Sequence, residues 1–175
     1  MWQRPLSLTI QQQHCPEWCR AATTLAVCGC YGDARPATQE DLADLVLGLP
    51  AGTPCECRTN PAAACNQPRN LASVLTTVND HGQDDPNGLP DLAFADLKGE
   101  IDAGRPVVVD VRFDAAGGAG HALVIYGYSD DGTVLVADPM NAGDRITVNF
   151  ADFVAGRATS HGSWHAAFRT KGTNN

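Results

Sequence analysis

The chain has 175 residues, with 20 acidic residues against 12 Lys and Arg, and its formal net charge is −8. This acidic balance, without a run of basic residues, argues against nucleic acid or an anionic membrane as a partner. No hydrophobic run is long enough to span a membrane, and the first ten residues lack the apolar core of a signal peptide, so we expect a removed export signal, a longer parent protein or another export route.

Helices joined by loops are predicted for the first half of the chain. A helix begins at Cys19, because the apolar residues that follow fit a helical period and no Gly or Pro interrupts them before Gly29. A second helix is indicated by Thr38, which can form a capping box with Asp41, and by a stop at Gly48. The predicted segments are helices over 19–30, 38–48 and 70–82, and a proline-rich loop with three cysteines over 50–69.

Strands dominate the second half of the chain. The stretch VVVDVRF is rich in β-branched residues and predicts a strand. The turn at 129–132 separates two further apolar runs and predicts a hairpin. The predicted segments are a helix over 92–103, strands over 107–113, 121–128, 133–137, 145–150 and 164–170, a flexible loop over 114–120 and a helical turn near 152–155.

These elements predict an α+β protein. We expect one domain over residues 1–175, in which a helical, disulfide-stapled lobe (1–90) and a β-rich lobe (91–175) enclose a cleft. The length of the chain is sufficient for such an arrangement. We expect the protein to act as a monomer.

Seven cysteines are many for so short a chain. If Cys19 stays a thiol, the other six can form three disulfides, which favours an oxidising compartment and hence a secreted or otherwise exported protein. A zinc site is the competing interpretation, since the C-x-C pairs at 28–30 and 55–57 each offer two thiol ligands, although C-x-C is a weaker zinc signature than C-x-x-C. The six cysteines, whose pairing the sequence leaves open, are Cys15, Cys28, Cys30, Cys55, Cys57 and Cys65.

Cys19 is the candidate nucleophile. A thiol at the start of a helix feels the positive end of the helix dipole, which favours thiolate over thiol. Gln13 lies six residues upstream, across the turn at Pro16, and its amide N–H can point towards the space above the sulfur, where an oxyanion would need a donor. The neighbouring Gln12 is the alternative donor.

His121 is the candidate base, because it follows a Gly-rich loop and opens a strand. Asp138 ends the returning strand of the same hairpin, so it can hold one imidazole nitrogen while the other faces the sulfur. Asn141 and Asp144 are alternatives for that role, and Asp138 before a proline is also a common turn former. Trp18 is interpreted as a packing or cleft-wall residue. The remaining histidines are interpreted as surface or loop residues: His14, His81, His161 and His165.

The segment around Cys19 resembles the active-site segment of papain-like cysteine proteases. The shared features are Gln13 six positions before Cys19, a helix of small residues and a further cysteine at Cys15. The motif WCRAA (18–22) is similar to the Trp-Cys-Trp-Ala-Ala of the compact bacterial branch, which includes secreted effector proteases and bacteriocin-processing peptidases. Arg20 departs from that motif, because it stands where an aromatic residue is expected.

The second half of the chain extends the resemblance. Gly120-His121-Ala122, followed by Asp138-Pro139, resembles the second part of the active site in the same bacterial branch. The resemblance implies a papain-like fold. It also implies a disulfide from Cys15 to the loop over 50–69.

The predicted function is that of a papain-like thiol protease acting on a protein or peptide substrate. Cys19 would attack the carbonyl, His121 would protonate the leaving amine, Asp138 would fix the imidazole, and Gln13 with the Cys19 backbone N–H would stabilise the oxyanion. This chemistry requires no cofactor and no metal. Two alternatives remain: a deamidase or transglutaminase-like effector that uses the same triad, and a catalytically silent, disulfide-stapled binding domain.

Overall fold

An antiparallel sheet forms the centre of the computed structural model, which describes residues 2–3, 5–78, 86–113, 119–142, 145–157 and 162–172. Within these ranges the sheet has six strands in the order β5-β4-β3-β2-β6, and β1 pairs separately with β3. The strands are β1 (Trp2–Gln3), β2 (Val107–Phe113), β3 (Ala119–Ser129), β4 (Thr133–Ala137), β5 (Ile146–Asn149) and β6 (Ser163–Arg169).

The predicted hairpin is confirmed. β3 and β4 are antiparallel, with Val124 opposite Ala137, and Gly132 takes a positive φ of 86° in the turn that joins them. β2 pairs with β3 so that Val111 lies opposite His121. The start of β3 therefore extends past the end of β4, where a side chain from another element can reach it. Most of the loop predicted over 114–120 lies outside the described residues.

Helices cover both faces of the sheet. The predicted capping box is confirmed, because the Asp41 N–H donates to Thr38 Oγ1 (3.0 Å) and the Thr38 N–H donates to Asp41 Oδ2 (3.1 Å). The third helix ends at Thr77, five residues before the predicted stop, and residues 79–85 lie outside the described ranges. The helices are α1 (Cys19–Tyr31), α2 (Gln39–Leu47), α3 (Leu71–Thr77), α4 (Phe94–Asp102) and α5 (Phe150–Val154).

Alternation along the strands divides the core into two layers. Val108 and Val124 pack with α1 and α3, whereas Val107 and Ile125 pack with α4 and α5. The four valine and isoleucine side chains are fully buried, which places the main hydrophobic stabilisation on both faces of the sheet. Helix α1 is therefore held against β3, and its first residue lies near the start of that strand. This mixed architecture is the α+β fold that the sequence predicts.

The expectation of three disulfides is wrong. Two are present, Cys15–Cys57 and Cys55–Cys65. Cys28 and Cys30 remain thiols on α1, because residues two apart on a helix project about 200° from each other and cannot bridge. The expected link from Cys15 to the 50–69 loop is confirmed. It ties the segment between Gln13 and Cys19 to that loop.

Candidate active site

Cys19 is the first residue of α1, as predicted, and the residue is 4% exposed. The residue before it, Trp18, provides no side-chain cap, and no acidic residue lies in the first turn. The backbone N–H groups at this helix end are thus left without a capping side chain. The thiol lies at the positive end of an uncompensated helix dipole.

His121 lies between a thiol and a carboxylate. Its Nε2 is 2.7 Å from Asp138 Oδ1, and the Cys19 side chain is the second group whose proximity raises the pKa of the ring. Because Nε2 faces the carboxylate, Nδ1 is the nitrogen left for the sulfur. The side chains of His121 and Asp138 are 4% and 3% exposed, so water has little access to their hydrogen bond.

Asp138 directly follows β4 and is itself held in place. The Met140 N–H donates to Oδ1 (2.8 Å), and Asn141 Nδ2 lies 3.4 Å from Oδ2. The Asn141 N–H also donates to the Asp138 carbonyl (3.1 Å), so the residue forms a turn as well as contacting the imidazole. Asn141 contacts the carboxylate rather than the ring. Asp144, the other alternative, lies outside the described residues.

The neighbours of His121 change its proton affinity. Burial by itself lowers the pKa of the imidazole, but hydrogen bonds to Asp138 and Cys19 and the charges of both groups raise it from 6.5 to about 9. An imidazole with this pKa carries its proton at neutral pH. The arrangement can therefore hold a proton next to the sulfur and deliver it to a leaving group.

Gln13 lies against the loop that carries Asp138, because its backbone N–H donates to the Pro139 carbonyl (2.8 Å). Its side-chain Nε2 donates to the carbonyls of Cys15 (3.1 Å) and Pro16 (2.7 Å), and its buried Oε1 has no hydrogen-bond partner within the described part of the chain. The amide thus faces the turn that leads to the nucleophile. The alternative Gln12 has an exposed side chain.

Other side chains singled out in the sequence lie around this cluster. Trp18 is 4% exposed and its indole N–H donates to the Cys65 carbonyl (2.9 Å), so it packs against the stapled loop. His14 Nδ1 lies 2.6 Å from Glu40 Oε1, and His165 is exposed. Two histidines lie outside the described residues, His81 and His161.

Phe113 is a site residue that the sequence reasoning missed. Its ring centroid lies 5.9 Å from that of His121, with 32° between the ring planes. Phe113 is the last residue of β2 and pairs with Ala119, two positions before the histidine. The signal was the aromatic residue at the end of VVVDVRF, but the pairing register of the two strands was needed to place it.

Arg20 forms a second cluster beside the first. Its Nη2 donates to Asp110 Oδ1 (3.2 Å), and Arg112 Nη2 lies 3.2 Å from Asp110 Oδ2. Gly120 makes room for this contact, since a Cβ there would lie 2.7 Å from Arg20 Nη2. In the sequence, the signals for this cluster were Arg20 in place of an aromatic residue and the charged Asp110 within an apolar strand.

The stapled loop contains the cysteines considered for metal binding. The Sγ atoms of Cys15, Cys55 and Cys57 all lie within 4.8 Å of one another. All three are in disulfides, so they could bind a metal ion only after reduction. These sulfurs are separate from the Cys19–His121 contact.

Comparison with known proteins agrees with the fold. The model of the Peptidase_C39 like family matches residues 5–169. A crystal structure of a Bacillus anthracis chain classed as a C39-like peptidase is similar, with a TM-score of 0.58, 14% identity and coverage of 98% of each chain. No curated protein matches the chain. The structural likeness supports the papain-like α+β fold, and the family match covers most of the sequence. The chain therefore belongs to the Peptidase_C39 like family and is a cysteine-type peptidase.

Proposed function

We propose that the protein hydrolyses peptide bonds with Cys19 as nucleophile, His121 as acid and base, and Asp138 as the group that orients the imidazole. The observation that carries this proposal is the buried imidazole, which hydrogen-bonds to Asp138 and whose pKa is raised by Cys19 as well. A nucleophile, a base and an orienting group in that order are the arrangement that thiol acyl transfer requires.

The reaction would proceed in two halves. The Cys19 sulfur attacks the peptide carbonyl, and the tetrahedral intermediate collapses when the His121 imidazolium gives its proton to the leaving amine. A thioester and a neutral imidazole remain. Water then attacks the thioester as the imidazole takes one of its protons, and collapse releases the carboxylic acid and the thiolate, with His121 protonated again.

Two donors would stabilise the oxyanion. The first is the backbone N–H of Cys19, at a helix start that lacks a capping side chain. The second is Gln13 Nε2, which in the resting structure donates to the Cys15 and Pro16 carbonyls. We propose that Gln13 turns one N–H from these carbonyls to the oxyanion when a substrate is bound.

The protein would act outside the reducing cytosol. Its two disulfides are typical of an oxidising compartment, and we propose secretion or another route of export. None of the helices in the described ranges has the length and hydropathy that crossing a bilayer demands.

A cleavage profile tests the proposal. A proteome-derived peptide library is incubated with the wild-type protein and with Cys19→Ala, and new termini are identified by mass spectrometry. We expect termini that appear only with the wild type. A change in glutamine side-chain mass without new termini would contradict peptide hydrolysis and favour deamidation. Identical profiles for both proteins would contradict the role of Cys19.

A further inference from the structure

A polar cavity of about 540 Å³ is lined by residues of α1, β2 and β3, the helix that begins at Cys19 and the strands that precede and carry His121. Two of its lining residues are neighbours of the proposed catalytic pair in the sequence: Arg20 follows Cys19, and Gly120 precedes His121. Its volume is in the range of ligand-binding pockets. The charged and titratable groups that line it are Arg20, Arg69, Arg112, His165, Glu17 and Asp110.

The cavity is positively charged within an acidic protein. Three guanidinium groups face two carboxylates there, whereas the whole chain has a formal net charge of −8. Asp110 forms ion pairs with two of the arginines, and each of its carboxylate oxygens contacts one of them. A cleft whose local charge opposes that of the whole protein concentrates ligands of the complementary sign. The complementary group is an anion.

The charged groups are held by packing. The side chains of Arg20 and Asp110 are 12% and 8% exposed. The Arg20 guanidinium lies so close to Gly120 that a side chain at this position would clash with it. Arg20 Nε is buried without a hydrogen-bond partner in the part of the chain described, so Asp110 does not satisfy this guanidinium. Arg112, on the other side of the carboxylate, is 39% exposed. Arg20 therefore supplies a fixed positive charge and Arg112 a solvent-exposed one, and the planar guanidinium group matches the geometry of a carboxylate.

We infer that this cavity binds a carboxylate of the substrate. The carboxylate is either the side chain of an Asp or Glu near the cleaved bond or the C-terminus of a short peptide. The inference rests on the proposed function, because it deals with the substrate of the same site. It also gives a role to Arg20, the residue that departs from the aromatic expected in the related motif.

Matched peptides distinguish the two sources. A peptide found to be cleaved is resynthesised with Glu or Gln at each position flanking the cleaved bond, and with a free or an amidated C-terminus. We expect one pair to differ by about 10-fold to 100-fold in kcat/KM, the range of a charge-assisted hydrogen bond. A Glu/Gln pair would identify a side chain, and an acid/amide pair would identify the terminus. Equal rates in every pair would overturn the inference.

Arginine variants locate the effect. Arg112→Gln should bring the ratio of kcat/KM for the acidic and neutral peptides close to one. Arg157→Gln makes the same charge change outside the cavity and should keep the wild-type ratio. Arg112→Glu should favour a lysine-containing peptide over the acidic one. If the Arg112 variants fail to fold, Arg69→Gln, at an exposed position in the lining, should still lower the ratio. An unchanged ratio in every folded lining variant would contradict the assignment.

Binding without turnover separates the inference from the proposed function. Fluorescence anisotropy with the Cys19→Ala protein measures the affinity of labelled acidic and neutral peptides. Tighter binding of the acidic peptide supports the cavity assignment even if the wild-type protein cleaves no peptide, in which case only the proposed function fails. Equal affinities overturn the cavity assignment, whatever the wild-type protein cleaves.

Discussion

Two clusters of charged side chains include the neighbouring residues Cys19 and Arg20, and the clusters differ in their exposure to solvent. His121 and Asp138 are almost completely buried and lie 2.7 Å apart, with Cys19 on the other side of the ring. In the second cluster, Arg20 and Arg112 share Asp110 at 3.2 Å, and Arg112 is open to solvent. The first cluster is closed to water, and its imidazole lies between two groups that favour the protonated ring, which suits proton transfer. The second carries an excess positive charge beside a cavity, which suits recognition of an anion.

The largest expected effect falls on the closed cluster. Cys19→Ala and His121→Ala should each lower kcat by about 10⁶-fold, because a nucleophile and its base act as a unit. Peptide cleavage assays measure the loss. Cys30→Ala, which removes another thiol from the same helix, should retain activity. Wild-type turnover by Cys19→Ala would contradict the proposed chemistry.

Asp138 should matter less than the two residues that react. Asp138→Ala should lower kcat by about 10⁴-fold, because the imidazole loses its orienting partner but remains beside the sulfur. The measurement is the kcat of Asp138→Ala divided by the kcat of His121→Ala, with both determined under the same conditions. A loss as large as that of His121→Ala would mean that Asp138 has a role beyond orientation. No loss would remove it from the triad.

Gln13→Ala should lower kcat by about 100-fold, the loss expected when one oxyanion donor is removed. Gln12→Ala is the matched control and should keep wild-type turnover. Circular dichroism checks that both variants are folded. The reverse pattern, with the loss in Gln12→Ala, would show that the neighbouring glutamine is the donor.

The sequence predicted the parts of the molecule that depend on local signals. The Thr38 capping box, the helix that begins at Cys19 and the hairpin after His121 are encoded by residues a few positions apart, and all three are confirmed. The hairpin also explains why spacing could pair His121 with Asp138. Their side chains meet because the two strands are antiparallel and joined by a short turn.

Long-range contacts could not be predicted in this way. Arg20 and Asp110 lie 90 residues apart, and only the packing of α1 against the sheet brings them together. Cysteine spacing does not determine which cysteines pair, so three disulfides were expected where two form. The side-chain direction of Gln13 depends on the carbonyls of a turn, which no residue pattern specifies.

The disulfides should affect stability. The double variant Cys15→Ala/Cys57→Ala should lower the free energy of unfolding by about 2–4 kcal/mol, because the disulfide restricts the unfolded chain. Urea unfolding measures the change, and reduced wild type is the control.

Thiol counting on the unfolded, unreduced protein should find three thiols, at Cys19, Cys28 and Cys30. A count of one would show that Cys28 and Cys30 are oxidised, contrary to the structure.

The raised pKa of His121 should also affect stability. A group that binds its proton more tightly in the folded state stabilises that state fully below its unfolded pKa of 6.5, and the contribution is lost as the pH rises through about 9. The stability difference between the wild type and His121→Gln should therefore shrink over this range. Urea unfolding at pH 6 to 10 measures the difference. A difference that does not vary with pH would contradict the raised pKa.

The titration of His121 by NMR tests most directly whether the closed cluster acts as a unit. In the wild-type protein we expect the ring to titrate at a pKa of about 9, well above the 6.5 of an isolated histidine. In Cys19→Ala the pKa should be lower, since the hydrogen bond and the charge of the sulfur both raise it. A wild-type pKa near 6.5 that does not respond to Cys19→Ala would contradict the account.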